Sequence, residues 1–241
     1  MNKVLQSLIF NLNYLEIYFL TFFYFLILYF FVGFIFFQSC KFLERKKIVE
    51  KIFVQKTSKD KTLFEVKNSL LSIFIFGFSG IFTIYFVRLG LIELQEVTLL
   101  NTFFGLLILI LWNEIHFFVI HKILHIPYLY KTVHKIHHHS KIPSIYSVYS
   151  FHWIEALLLS TVPLTIAPFI NFSPTAIFLF PLASILLNFS GHCNYRFGNG
   201  SGKTWKLFGT RHAQHHFKNS KNFGFVTHFF DRINALLKKS N

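Results

Sequence analysis

The chain has 241 residues, of which 53% are hydrophobic and only 14% charged, with 35 phenylalanines. That balance excludes an ordinary soluble domain and, with the long apolar runs, places the chain in the multi-pass membrane class. A net charge of +14 would suit a nucleic-acid binder, but residues 41–67 hold nine Lys/Arg against four acids and residues 193–241 nine against one, and both segments flank apolar runs, as cytoplasmic, positive-inside segments near anionic lipid do.

A helix crossing the hydrocarbon core needs about 20 apolar residues. The first candidate runs from Tyr14 to Phe37 and is stopped by the basic loop from Lys41. It is too long for a signal sequence and lacks a small-residue cleavage site, so no cleavable leader is expected. The second runs from Ser69 to Val87, and the third from Val97 to Val119. Residues 121–152 are polar and histidine-rich. Two shorter apolar stretches follow, Ile154–Ile170 and Pro174–Phe189, joined by Asn171-Phe-Ser-Pro174. Their length fits a spanning hairpin or a shallow re-entrant pair.

The expected fold is an all-α, multi-pass membrane helical bundle. It has three long spans, a shorter apolar hairpin and a cytosolic-side, histidine-rich metal-binding cap. Residues 1–109 form an N-terminal membrane part with its basic loop, and residues 110–241 a catalytic region. If the 41–67 loop is cytoplasmic, two further spans bring the chain back to that side at His121. A hairpin crosses twice or not at all, so His192 and the last histidines emerge there too.

Nine histidines fall into four patterns: His121-Lys-Ile-Leu-His125, His134-Lys-Ile-His137-His138, a single His192, and His212-Ala-Gln-His215-His216. On a helix, residues three and four apart share a face about 5–6 Å apart. Each HxxxH or HxxHH is therefore expected to aim two or three imidazoles at one point. Neutral imidazole ligates iron, zinc and copper, and two ions of four or five ligands each would use about this many. A structural zinc site is usually four-coordinate and rich in Cys, and a zinc hydrolase would more often show HExxH, which is missing. Cys40 and Cys193 form no CxxC; a small semi-buried thiol suits Cys193 better than a ligand does. An imidazole-rich, oxygen-poor site suits redox-active iron or copper. No Rossmann fingerprint or CxxCH occurs, so the metals would carry the hard chemistry. A site at the membrane face suits a substrate with a lipid tail.

The stretch from Glu114 to His138, continued by the lone His192 and the last HxxHH, resembles the fatty acid hydroxylase superfamily. This group of membrane lipid oxidases includes sterol desaturases. The resemblance covers about residues 110–235. It implies that His121 and His125 match the first box and His134, His137 and His138 the second. His212, His215 and His216 match the third, and His192 the additional ligand before it. It further implies a di-iron centre, O2 as co-substrate, a membrane lipid substrate and electrons from an external cytochrome b5-like or ferredoxin-like donor. His152-Trp-Ile-Glu155 looks like the family's His-Pro-x-Glu segment, with Trp153 in place of proline. Asn222-Phe-Gly224 and Phe230-Asp231-Arg232 look like its Asn-Tyr-Gly and Trp-Asp-Arg elements. Glu114 stands where the family often has Asp, Lys122 where it often has Arg, and Asn188 where some hydroxylases have a further histidine.

Glu114 and Glu155, ionisable at membrane edges, are expected to accept the second imidazole N–H of a ligand. Asn188 is a candidate to hold a metal-bound water, or simply a polar end to a membrane helix. His116 and His228 read as packing residues and His139 as solvated or behind a ligand. His152 is balanced between orienting a ligand and binding metal, and Glu16 has no evident partner. Lys238-Lys-Ser-Asn241 has the form of a dilysine endoplasmic-reticulum retrieval signal, which chance readily produces in so lysine-rich a chain. The function expected is lipid hydroxylation or desaturation in the bacterial inner membrane or endoplasmic reticulum. A zinc pair without oxidase activity, or metal transport or storage, is the alternative.

Overall fold

The computed structural model describes residues 3–54, 58–197, 210–219 and 221–237; the Lys238–Asn241 tail lies outside them. A short helix α1 (Lys3–Phe10) leads into the long α2 (Tyr14–Arg45). Glu16, expected to be unpartnered, closes a capping box at the start of α2: its carboxylate accepts from Asn13 N at 2.8 Å, and its own N–H donates to Asn13 Oδ1. A π-helical stretch, Leu28–Val32, interrupts α2. Strand β1 (Val49–Lys51) and α3 (Lys59–Arg88) follow, then α4 (Leu99–Leu124).

Beyond α4, helix α5 is built from Pro127–Leu129, a π turn Tyr130–His134, and Lys135–His138. The apolar stretch from Ile154 breaks into α6 (Trp153–Ser160) and α7 (Val162–Ile166), with Pro163 in the first turn of α7. Fourteen residues rise about 21 Å as a helix, short of the roughly 30 Å core. Its partner is different: α8 (Pro174–His192) is one continuous 19-residue helix. Four long apolar helices, α2, α3, α4 and α8, are thus able to span; the first three are the long spans expected, and α8 is one arm of the shorter hairpin. The remaining elements are β2 (Tyr195–Phe197), α9 (Thr210–Lys218) and α10 (Phe229–Leu237).

The most extensive helix contacts are α2 against α3 and α8 against α4. In a membrane, close backbone approach takes the place of hydrophobic drive. At Gly80 of α3 an added Cβ would lie 2.0 Å from Thr21 Oγ1 of α2, so a larger residue would have to displace Thr21 or part the helices. Large apolar side chains such as Leu15, Phe31, Leu99, Phe103 and Leu111 face outward, as lipid contact requires. At one end of the bundle β1 pairs antiparallel with β2, Glu50 opposite Arg196, fastening the basic loop to the chain just after His192. The histidine-bearing ends of α4 and α8 lie at this same end.

Candidate metal centre

All nine histidines of the four patterns converge, and they divide. His121, His125, His134, His138 and His215 form one group; His137, His192, His212 and His216 form the other. Within each group one ligand atom per residue lies within 4.8 Å of all the others. His121 and His125 stand at the end of α4, His192 ends α8, and the two HxxHH patterns lie on α5 and α9.

His121 and His125 of the HxxxH pattern fall in one group, whereas each HxxHH sends two histidines to one group and the third to the other. Residues four apart on a helix differ by about 40° in direction, while adjacent residues differ by about 100°. The outer pair of each HxxHH therefore shares a target, and the middle histidine turns to another. His134 and His138 belong to the first group, with the middle His137 in the second; His212 and His216 belong to the second, with the middle His215 in the first. The helices α5 and α9 exchange their middle histidines.

Ring nitrogens meet closely: His125 Nε2 and His215 Nε2 are 3.1 Å apart, His215 Nε2 and His138 Nε2 3.2 Å. In the second group, His192 Nε2 is 3.0 Å from His212 Nε2, which is 3.2 Å from His216 Nε2. Metal–nitrogen bonds of about 2.0–2.1 Å place neighbouring ligands roughly 3 Å apart. Buried His121 Nε2 and His134 Nε2 have no hydrogen-bond partner among the described residues, an arrangement that costs free energy unless something binds them. Burial pushes His125 down to about 3 and His215 to about 4, the latter partly offset by its hydrogen bond to Lys221. Burial also lowers His134, His137, His138, His212 and His216. Neutral rings are the form a metal takes. The residues fit a pair of metal ions.

The outer faces of the rings are held by specific acceptors. His134 Nδ1 lies 2.8 Å from Glu155 Oε1, both buried. Burial raises Glu155 and lowers His134, favouring the neutral form of each. A cation at Nε2 favours Nδ1–H donating to the ionised carboxylate. His121 Nδ1 donates to Phe223 O at 2.8 Å and His215 Nδ1 to Lys221 O at 2.6 Å. Both carbonyls come from one loop, which explains the Asn-Phe-Gly and Phe-Asp-Arg elements. Asn222 takes the left-handed conformation at φ 65°. Phe223 N and Gly224 N each donate to the Asp231 carboxylate at 3.0 Å. At Gly224 a Cβ would lie 1.9 Å from Thr227 O.

Glu114 is placed differently from its expectation. Its carboxylate reaches no imidazole; it accepts from Val226 N, Thr227 N and Thr227 Oγ1 at 3.0–3.1 Å and so holds the far side of that same loop. Asn188 donates to Val148 O at 3.3 Å and lines a cavity. His152 caps α6, accepting from Ile154 N. His116 bonds Thr161 Oγ1 at 3.1 Å, while exposed His139 packs at a tilt against Phe64. His116, His139, His152, His228 and Cys193 all lie outside both groups. Ser147, whose Oγ is 2.8 Å from His192 Nδ1, was not foreseen, and nothing in a lone serine signals it. Asp231 was visible as part of an element but without a role.

A largely apolar cavity lies next to the histidine cluster, with Phe117 and Phe151 between them, and is lined from all four long helices by residues such as Phe25, Phe76, Phe117 and Phe180. Phe117 packs 4.9 Å from the His121 ring and Phe151 4.8 Å from the His137 ring. Asn113 and Asn188 bring amides to the wall, and Ser79, Ser160 and Ser184 hydroxyls.

A family model described as fatty acid hydroxylase matches residues 106–235. The chain belongs to the fatty acid hydroxylase family. A probable Delta(7)-sterol 5(6)-desaturase of Neurospora crassa is 29% identical over 137 residues, 54% of this chain. The matched stretch spans 37% of that relative's length. No solved structure matches. The matched segment of this fatty acid hydroxylase family member holds all nine grouped histidines, Glu155 and the loop that orients them. Helices α2 and α3 lie before it.

Proposed function

We propose that the chain is a membrane-bound di-iron oxygenase that hydroxylates or desaturates a C–H position of a lipid. The observation that carries this reading is the division of nine imidazoles, eight buried and His125 half-buried, into two groups beside a largely apolar cavity. His121, His125, His134, His138 and His215 would hold one iron; His137, His192, His212 and His216 would hold the other. Two bound irons supply O2 activation strong enough to break an unactivated C–H bond. The chain's own residues keep the rings neutral and oriented, and Phe117 and Phe151 bring an apolar chain to the site while excluding water. Hydroxylation and desaturation each take up one O2, two electrons and two protons, so an external donor of the cytochrome b5 or ferredoxin class is required. The basic loop at the histidine end supports a cytosolic position for the site. The relative's name supports a sterol-like lipid as substrate, and the family's description an acyl one. Metal transport is not favoured, because the histidines collect at one end of the spans.

The test is metal analysis of protein from iron-supplied cells, with lipid mass spectrometry of cells with and without the gene. Iron near two per chain, and a lipid gaining one oxygen or losing two hydrogens in an O2-dependent way, is expected. Stoichiometric zinc with an unchanged lipid profile would overturn the reading.

A further inference from the structure

Glu65 lies on α3, before the segment that matches the family, yet it is fully buried. A buried carboxylate is costly unless hydrogen bonds and charge satisfy it, so its place is not one that packing alone would select. Ser140 Oγ donates to Oε1 at 2.6 Å and Ser144 Oγ to Oε2 at 2.5 Å. Lys61, one turn earlier, lies 3.5 Å from Oε1 and also donates to Ile142 O. The carboxylate thus grips both ends of the segment that follows the second histidine pattern.

That segment ends in a 3-10 turn, Ile145–Ser147. Ser147 Oγ donates to Ser144 O at 2.7 Å and accepts from Ser144 N at 3.1 Å. The hydroxyl has one proton, and the turn uses it. Towards His192 Nδ1, at 2.8 Å, the oxygen is left only to accept. His192 then carries its proton on Nδ1, and its Nε2 presents a lone pair to the four-histidine group. Tyr29 Oη and Ser69 Oγ, donating to Tyr146 O at 2.8 and 2.9 Å, brace the same turn.

We propose that Glu65 is a positioning residue for the four-histidine group: it clamps the Ser140–Ser147 segment so that Ser147 fixes the orientation and tautomer of His192. This rests on the metal-centre reading above. Its consequence is that the N-terminal membrane part, which supplies no ligand to either group, controls one metal position and not the other.

The experiment uses the full chain in nanodiscs, purified from iron-supplied cells as wild type, Glu65→Ala, Glu65→Gln, Ser147→Ala and the Glu65→Ala/Ser147→Ala double variant. Metal per chain and Mössbauer spectra are read beside thermal stability. Glu65→Ala is expected to fall from two irons to about one, keeping the signal of the five-histidine group. Glu65→Gln, which can still accept a serine hydroxyl, restores occupancy. The double variant loses no more than Ser147→Ala alone, the signature of one coupled path. Full occupancy with unchanged spectra in Glu65→Ala would overturn the proposal. So would equal loss from both groups with a lowered melting temperature, which marks a general structural role. Should wild type bind two zinc ions and no iron, the oxidase reading falls while the same counts, made on zinc, still decide the role of Glu65. Wild type without metal removes both.

Discussion

In the five-histidine group, three rings are turned by acceptors behind them: His121 by Phe223 O, His215 by Lys221 O and His134 by Glu155. In the four-histidine group, His192 has Ser147 behind it, whereas His212 Nδ1 and His216 Nδ1 have no partner among the described residues. Outer partners of this kind commonly change metal affinity about 10–100-fold. The difference teaches that equal-looking histidine patterns need not make equal sites. One group is built into a carboxylate and a backbone loop; the other depends more on helix placement and on a serine held from α3.

The sharpest way to break the comparison is to remove the exchanged histidines. His215→Ala should strip the five-histidine group and His137→Ala the four-histidine group, each abolishing turnover. His228→Ala, outside both groups, should leave metal content and turnover intact. Full iron occupancy in either of the first two would dismiss the division into groups. Next in size, Glu155→Gln should weaken the five-histidine ion by about 10–100-fold, read by competition with a chelator. An unchanged affinity would show that His134 needs no ionised partner. Asp231→Asn loosens the loop that supplies two carbonyls, and about a tenfold loss, confined to the same group, is expected in the same assay. A loss confined to the four-histidine group would reverse the assignment.

The smallest effect concerns acid. In the metal-free chain, burial holds His125 at about 3 and His215 at about 4, below the ordinary 6.5 that the unfolded chain keeps. Between those values the unfolded state binds more protons, so stability is complete above about 6.5 and falls as the pH drops towards 4 and then 3. Thermal melts across that range check the sign; a melting temperature that rises on acidification would contradict the buried, neutral state of these rings.

Much of this was open to a reader of the sequence, because it depends on local spacing. Apolar length marked α2, α3 and α4, and three- and four-residue intervals marked the grouped histidines. What resisted was non-local. Ile154–Ile170 and Pro174–Phe189 read alike in hydropathy, but Pro163 and the break at Thr161 shorten one, while Pro181 is tolerated inside the other. Which ion His137 or His215 faces depends on how α5 and α9 meet, and no spacing encodes that. Glu114 was expected at an imidazole because a carboxylate near a histidine box suggests one; its real partners are backbone amides more than a hundred residues away. Glu65 and Ser147 sit in no pattern at all.

The exchange of middle histidines between α5 and α9 makes the two helices interlock like clasped hands. Neither site is complete until both helices have docked, so the first ion to arrive must order both. The second then meets ligands already in place, which is positive cooperativity arising from ordering alone. With two ions bound as proposed, metal loading would be the last folding step of this end of the molecule, and partly loaded wild-type chains would be scarce, most molecules holding both ions or neither.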